Sequence, residues 1–225
     1  MTAQPLDVSP DLRARGQRPG RRRNSSAQPA RGERTRDREV VDAAIAVFWE
    51  KGYANASVQD VADVLGMLKG SLYYYIDSKE SLLRRIFVET HQELMDLAAA
   101  AQAEPGPAVD QFRWLLRASA MWAIQSVDRA GLYFREWRYA SDGLNSELVR
   151  ERRGYEKVIA RLVAAGQADG DLDAVVDPMR AATFVWSAMS SLPDWYAPGS
   201  RMLERGVAET YLALAMRAVG LRPED

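Results

Sequence analysis

Apolar residues recur at helical spacing along most of the chain, and Pro and Gly fall between the segments that this spacing defines. Near the start, Val41, Ala44, Ile45 and Phe48 form an i, i+3, i+4, i+7 stripe, the apolar face of an amphipathic helix. Gly52 follows, and glycine suits the left-handed backbone that ends such a helix. The pattern predicts an all-α fold.

Two short helices around a tight turn are predicted between residues 57 and 76. Ser57 can cap the first helix and Gly66 can end it. The second helix starts near Lys69, and Leu72 and Ile76 anchor it to the core because they lie four residues apart. The apolar positions of the first helix are Val58, Val61, Ala62 and Leu65.

Polar and aromatic side chains occupy the other faces of the second short helix: Lys69, Ser71, Tyr73, Tyr74 and Tyr75. Lysine, serine and tyrosine can all bond phosphate oxygens, and lysine can also bond guanine edges. The two helices therefore match the outline of a helix-turn-helix, which places its second helix in the major groove of DNA. The alternative is an ordinary helical hairpin with a tyrosine-rich surface.

The order of residues over 35–85, including V-V-D-A-A-I-A-V-F-W-E-K-G-Y and L-K-G-S-L-Y-Y-Y-I, resembles the TetR family of one-component repressors. The resemblance implies a three-helix DNA-binding domain at 35–80 and a larger helical ligand-binding and dimerisation domain at 81–225. Leu68 departs from the small or polar residue of many relatives, and it either touches a thymine methyl group or packs inward. The resemblance also implies contacts to double-stranded operator DNA from Ser57, Gln59, Lys69, Gly70, Ser71, Tyr73, Tyr74, Tyr75 and Lys79, the last two on the DNA backbone.

After residue 80 the chain is predicted to be almost entirely helical. The first of these helices is capped by Ser78 or by Asp77, which has capping-box spacing with Glu80. It runs to about Ala101, and E-P-G-P at 104–107 breaks it. Later helices are predicted to begin near Ala108, Asp128, Asp142 or Asn145, and Asp177-Pro178.

The last two helices are predicted to form a homodimer interface. The final helix has almost no polar face, so it must be buried on more than one side. One side can meet the chain's own core and another a partner subunit, as the TetR resemblance also implies; the alternative is a helix buried within a monomer. A dimer would bind a near-palindromic operator. The apolar positions are Ala182, Val185, Trp186 and Met189, then Val207, Ala208, Tyr211, Leu212, Leu214, Ala215, Met216 and Val219.

Aromatic residues are dense in the middle of the chain, and F-R-E-W-R-Y at 134–139 and W-Y-A-P-G-S at 195–200 stand out. Core packing explains many aromatics, but an aromatic-lined pocket would suit a largely apolar ligand. Arg135, Arg138 and one of Arg150, Arg152 or Arg153 could hold an anionic group, because a guanidinium bonds two phosphate oxygens. The candidate ligand-binding residues are Trp122, Tyr133, Arg135, Trp137, Arg138, Tyr155, Trp186, Trp195 and Tyr196.

This layout resembles the acyl-CoA-responsive repressors of lipid and steroid breakdown in actinobacteria. The resemblance implies a fatty-acyl or steroid-derived CoA thioester as the inducer. S-S-L-P-D at 190–194 departs from those relatives, which often carry an extra tryptophan and an arginine there. A non-CoA hydrophobic or aromatic inducer is the alternative.

Positive charge is concentrated at the N-terminus. Residues 1–38 hold ten arginines and four acidic residues, while the whole chain carries a net charge of −1. A basic end on an acidic body is the asymmetry expected when only one end meets nucleic acid. Residues 1–34 have no apolar period and are predicted to be a disordered arm, either binding DNA or remaining a solvated tail.

Composition excludes several classes of protein. The chain has no cysteine and a single histidine, His91, so no catalytic residue, metal site or cofactor is predicted. No membrane span, no secretory signal and a cytoplasmic location are expected, since no apolar run is long enough for a span and the N-terminal residues lack an apolar segment. A helical enzyme and an architectural DNA-binding protein are the alternative classes, and the sequence does not distinguish an activator from a repressor.

Overall fold

The computed structural model describes residues 31–136, 142–195 and 204–221 of the chain. The N-terminal unit consists of α1 (Arg31–Lys51), α2 (Val58–Val64) and α3 (Lys69–Leu72). Gly52 and Gly66 end α1 and α2 with φ of 75° and 61°, the left-handed backbone expected of them. Val61, Leu72 and Phe48 are fully buried, so the predicted apolar stripes form the core of this unit.

The first helix starts earlier than expected. The segment 1–34 was predicted to be disordered, but α1 begins at Arg31 and its backbone is helical over the last four residues of that segment. The rest of the predicted arm lies outside the described residues.

Helix α4 (Lys79–Ala103) connects the N-terminal unit to the rest of the chain. Ser78 caps it, and the capping box forms with Ser81 rather than between Asp77 and Glu80. Gly106, with φ of 116°, lies in the predicted break before α5 (Ala108–Gln125). Helix α6 (Val127–Arg135) follows and is short.

The remaining helices are α7 (Asp142–Asp169), α8 (Pro178–Ser190), α9 (Leu192–Trp195) and α10 (Glu204–Ala218). Asp177 accepts a hydrogen bond from the backbone nitrogen of Arg180 at 2.9 Å and caps α8, as predicted. Helix α9 was not expected. Helix α5 packs against α4, α7 and α10, and α7 also packs against α8. These helices together form a helical core with α5 at its centre.

Among the residues that the structure describes there is no β-strand, only an isolated bridge between Leu172 and Leu221. The all-α prediction is confirmed. None of the helices in these residues combines the length and the apolar character that a membrane-spanning helix requires.

Candidate functional site

The exposed side of α3 is polar and aromatic. Its backbone hydrogen bonds continue past Leu72, since the nitrogens of Tyr74 and Tyr75 donate to the carbonyls of Ser71 (3.2 Å) and Leu72 (2.9 Å). Leu72 and Ile76 are buried and hold the helix to the core, as predicted. We call the five exposed residues of this helix and its extension the recognition surface: Lys69, Gly70, Ser71, Tyr73 and Tyr74.

Two residues beside the recognition surface differ in exposure. Tyr75 is half-buried and packs edge-on against Tyr74, with ring centroids 5.2 Å apart. Leu68 is 79% exposed, so of its two predicted placements the inward one is wrong.

Lys79 has a role that the TetR resemblance did not imply. Its ammonium donates hydrogen bonds to the carbonyls of Tyr53 (2.6 Å) and Ala56 (2.7 Å), and it lies 4.3 Å from the centroid of the Tyr53 ring. These contacts hold the turn between α1 and α2 against the start of α4. Lys79 thus has a structural role in this protein, and its contact with the DNA backbone stays a prediction.

At the start of α2, Ser57 and Asp60 form a capping box. The backbone nitrogen of Asp60 donates to Ser57 Oγ at 3.2 Å, and that of Ser57 donates to Asp60 Oδ2 at 2.7 Å. Lys51 donates to Asp60 Oδ1 at 2.5 Å, and this bond holds the pKa of the Asp60 carboxyl well below its usual range. Gln59 is exposed and donates to Asp63 at 2.7 Å. Ser57 and Gln59 therefore lie at the exposed start of α2, as predicted.

A cavity of about 160 Å³ lies between α6, α7 and α8. Two predicted ligand-binding residues, Tyr133 and Trp186, line it. Six further lining residues were not among the predicted ligand-binding residues: Phe134, Leu148, Val149, Arg152, Ser187 and Ser190.

Some of these six had a sequence signal. Leu148 belongs to the apolar stripe of α7, and Arg152 is one of three arginines considered for an anionic group. Arg152 donates to Glu156 at 3.0 Å, and its guanidinium lies 5.5 Å from the centroid of the Trp186 ring. No sequence signal marks Ser187 or Ser190, because only the packing of α8 against α7 brings them to the cavity.

Two predicted ligand-binding residues lie behind the cavity rather than in its wall. Tyr155 is buried, its hydroxyl lies 2.6 Å from Ser119 Oγ, and its ring supports Trp186 at a centroid distance of 5.5 Å. Trp122 donates its indole hydrogen to Glu93 at 2.8 Å and packs edge-on against Phe134. Both residues shape the cavity through their neighbours.

Two others point elsewhere. Arg135 forms an ion pair with Asp194 on α9, and its guanidinium lies 5.1 Å from the centroid of the Trp49 ring on α1. Trp195 is 45% exposed and does not line the cavity. Arg135 therefore contacts other parts of the protein and does not line the cavity, and its contact with a ligand stays a prediction. Trp137, Arg138 and Tyr196 lie outside the described residues.

Helix α6 carries contacts in three directions. Tyr133 and Phe134 face the cavity, and the Tyr133 hydroxyl lies 3.2 Å from Nδ1 of His91 on α4. Burial raises the pKa of Tyr133 and lowers that of His91, so both groups are neutral near pH 7. On the third side, Gly131 lies against the indole ring of Trp49, where an added Cβ would come within 2.2 Å.

The outer faces of α8 and α10 expose large apolar side chains. Met179 is 42% exposed, Phe184 54% and Leu214 53%, whereas Trp186 and Tyr211 on the same helices are buried. Each helix therefore has a buried face and an exposed apolar face, the arrangement predicted for a subunit interface.

Two family profiles match the chain. Residues 40–86 match "Bacterial regulatory proteins, tetR family", and residues 105–219 match "Tetracyclin repressor-like, C-terminal domain". The chain belongs to the TetR family. It is a DNA-binding, ligand-responsive transcriptional repressor of that family, whose members function as dimers. The helix-turn-helix prediction is confirmed, and the matching relatives are regulators rather than enzymes.

One curated relative matches over most of its length. The HTH-type transcriptional repressor KstR2 of Rhodococcus jostii is 28% identical over 198 residues, which cover 84% of this chain and 94% of the relative. A crystal structure of a tetR-family regulatory protein from Rhodococcus RHA1, also 28% identical, superposes with a TM-score of 0.76 and covers 83% of this chain and 98% of that one.

A more distant structure supports the fold alone. AibR, solved in complex with isovaleryl coenzyme A and operator DNA, is 19% identical and superposes with a TM-score of 0.72. The match covers 80% of this chain and 97% of AibR.

Proposed function

We propose that this repressor binds a near-palindromic operator as a homodimer and releases it when an apolar ligand with an anionic group fills the cavity. One observation carries the proposal: α6 lines the cavity on one side and contacts the DNA-binding unit on another. A ligand that displaces α6 therefore acts on α1 and α4 directly.

The contact between α6 and α1 is tight. Gly131 has no room for a side chain because the Trp49 ring fills that space, and Arg135 lies over the same ring. Arg129 adds an ion pair with Glu93 of α4 at 3.3 Å and lies 3.8 Å from Asp42 of α1. Closely packed surfaces do not deform continuously, so a shift of α6 must be transmitted to α1 or must break these contacts.

The contact between α6 and α4 is aromatic as well as polar, since the ring of Phe87 on α4 packs edge-on against Tyr133 at a centroid distance of 5.8 Å. Tyr133 lines the cavity, and its hydroxyl lies close to His91 on α4. Lys79, the first residue of α4, holds the turn between α1 and α2. Helix α4 thus contacts the cavity wall through His91 near its middle and the DNA-binding unit through Lys79 at its start. A ligand that binds one arrangement of these helices better than another must change operator affinity, and the operator must change ligand affinity by the same factor.

The exposed apolar faces of α8 and α10 are the proposed dimer interface. Phe184 and Leu214 would be covered by the same faces of a second subunit, forming a four-helix interface. Two recognition surfaces about one DNA turn apart would then meet two half-sites.

The cavity restricts the ligand. Its volume of about 160 Å³ is below the roughly 300 Å³ at which sites for whole drug-sized ligands begin. A short acyl group fits this space, and Arg152 at the wall is available for the anionic part. The isovaleryl coenzyme A bound to AibR, which has the same fold, also favours an acyl-CoA thioester. An uncharged hydrophobic inducer is the second candidate, since Arg152 already bonds Glu156.

A panel of CoA thioesters and their free acids, starting with isovaleryl-CoA, tests the ligand class. Binding is followed by tryptophan fluorescence, which Trp186 in the cavity wall reports, and release by fluorescence anisotropy of labelled operator. We expect thioesters to release the operator and Arg152→Gln to weaken their effect. Arg161→Gln, an exposed arginine on the same helix, is the control. Release by an uncharged compound but by no thioester would show that the CoA proposal is wrong.

A further inference from the structure

The fold alone does not explain why residue 68 is a leucine. It is the N-cap residue of α3, and its carbonyl accepts hydrogen bonds from the nitrogens of Ser71 (2.9 Å) and Leu72 (3.2 Å). Its side chain makes no capping hydrogen bond, whereas Ser57 and Ser78 cap the neighbouring helices. The side chain is 79% exposed, so it contributes little to the core.

Gly70 is a second residue that the fold does not explain. Its φ is not left-handed, and a side chain added there would meet no atom within 4 Å. Glycine in a helix costs stability, so neither backbone geometry nor packing favours it. A glycine at an outward position does, however, allow another molecule to approach the helix backbone closely.

The chemistry of the major groove accounts for both residues. Base edges there present hydrogen-bond donors and acceptors, and the C5-methyl group of thymine is the apolar feature among them. Leucine cannot hydrogen-bond, and a contact between apolar groups requires an approach to about 4 Å. The lack of a side chain at Gly70, two residues from Leu68, removes an obstacle to that approach.

We propose that Leu68 contacts the methyl group of one thymine in each operator half-site and makes that base a determinant of specificity. This inference rests on the proposed insertion of α3 into the major groove. Leu68 would therefore require an A·T pair at one position of each operator half-site, and the recognition surface would read the other positions.

The test replaces thymine by deoxyuridine, which lacks only the methyl group. The operator is first selected from a random duplex pool with the full-length protein, and each thymine is then replaced in turn. For the wild type, replacing the thymine that Leu68 contacts in either half-site should lower operator affinity about fourfold, because the burial of one methyl group is lost. Leu68→Ala should bind the thymine and deoxyuridine duplexes equally well.

Two further variants separate a base contact from a general effect. Val64→Ala removes another exposed apolar side chain, 61% exposed on α2, and should keep the wild-type deoxyuridine profile. Leu68→Asn introduces a side chain that can cap α3. When the operator selection is repeated with this variant, it should no longer require thymine at the base pair assigned to Leu68.

The outcomes distinguish this inference from the proposed function. A wild-type protein indifferent to every replacement, or a Leu68→Ala variant with the same sensitive thymine, would overturn the role of Leu68 while operator binding stands. A protein that selects no DNA sequence would overturn the proposed function and this inference together.

Discussion

The recognition surface and the cavity are built in opposite ways. The recognition surface comes from one segment, residues 69–74, and all five of its residues are exposed. The cavity takes its wall from α6, α7 and α8, over residues 133–190, and includes buried side chains such as Tyr133 and Trp186. Substitutions on the recognition surface should therefore change DNA binding without destabilising the fold, whereas substitutions around the cavity should change stability, ligand binding and DNA binding together.

The largest expected effect is on the recognition surface. Lys69→Ala combined with Tyr73→Ala should abolish detectable operator binding, because each lost DNA contact costs about 1–3 kcal/mol. Both side chains are exposed, so the thermal melting temperature should stay near that of the wild type. Operator affinity is measured by fluorescence anisotropy and stability by circular dichroism.

Lys157→Ala is the matched control for that variant, since Lys157 is an exposed lysine on α7. Its operator affinity should equal that of the wild type at the same salt concentration. If the double variant also binds the operator normally, α3 is not the DNA-contacting helix.

The next prediction concerns the contact between α6 and α1. Gly131→Ala places a methyl group 2.2 Å from the Trp49 ring, so α6 or α1 must move. We expect a loss of about 1–3 kcal/mol in the free energy of unfolding, typical of overpacking. Unlike the previous variant, it should lower operator affinity without any change at a DNA contact. Chemical denaturation and anisotropy measure the two effects.

A second substitution sharpens this result. Trp49→Leu in the Gly131→Ala background makes room for the added methyl group and should recover part of the lost operator affinity. Gly154→Ala on α7, where a side chain would meet no atom within 4 Å, is the control and should leave operator affinity unchanged. Normal operator affinity in Gly131→Ala would argue against α6 as the connection.

The smallest effect, and the sharpest contrast, is expected at Gly70. Gly70→Ala should raise the free energy of unfolding by about 0.5–1 kcal/mol, because alanine is the better helix former and nothing blocks it. Operator affinity should fall in the same variant, because the methyl group keeps DNA away from the helix. Gly154→Ala should give the gain in stability without the loss of affinity. A Gly70→Ala variant that gains stability and keeps its affinity would show that DNA does not approach this residue closely.

The same difference in construction explains what the sequence could predict. The helix-turn-helix depends on local signals such as Ser57, Gly66 and the pair Leu72 and Ile76, so it could be predicted almost residue by residue. The structural role of Lys79 could not be predicted because its partners are carbonyl groups 23 and 26 residues earlier in the chain, which no local pattern reveals.

The cavity could be predicted only in part, for the same physical reason. Tyr133 and Trp186 were identified as large aromatics, but Tyr155, an equally large one, is turned into the core toward Ser119. Arg135 was chosen from its neighbourhood in the sequence, and the packing of α6 turns it toward Trp49 and Asp194 instead. Periodicity identifies the buried face of a helix, but not which buried residues border an empty space.

The central claim is that the cavity and the recognition surface are linked, and reciprocity tests it most directly. The affinity of the most effective thioester of the panel is measured by fluorescence for the free protein and for the protein saturated with operator. We predict weaker binding to the operator complex, by the same factor by which that thioester weakens operator binding. Equal affinity for the free and the operator-bound protein would contradict the account.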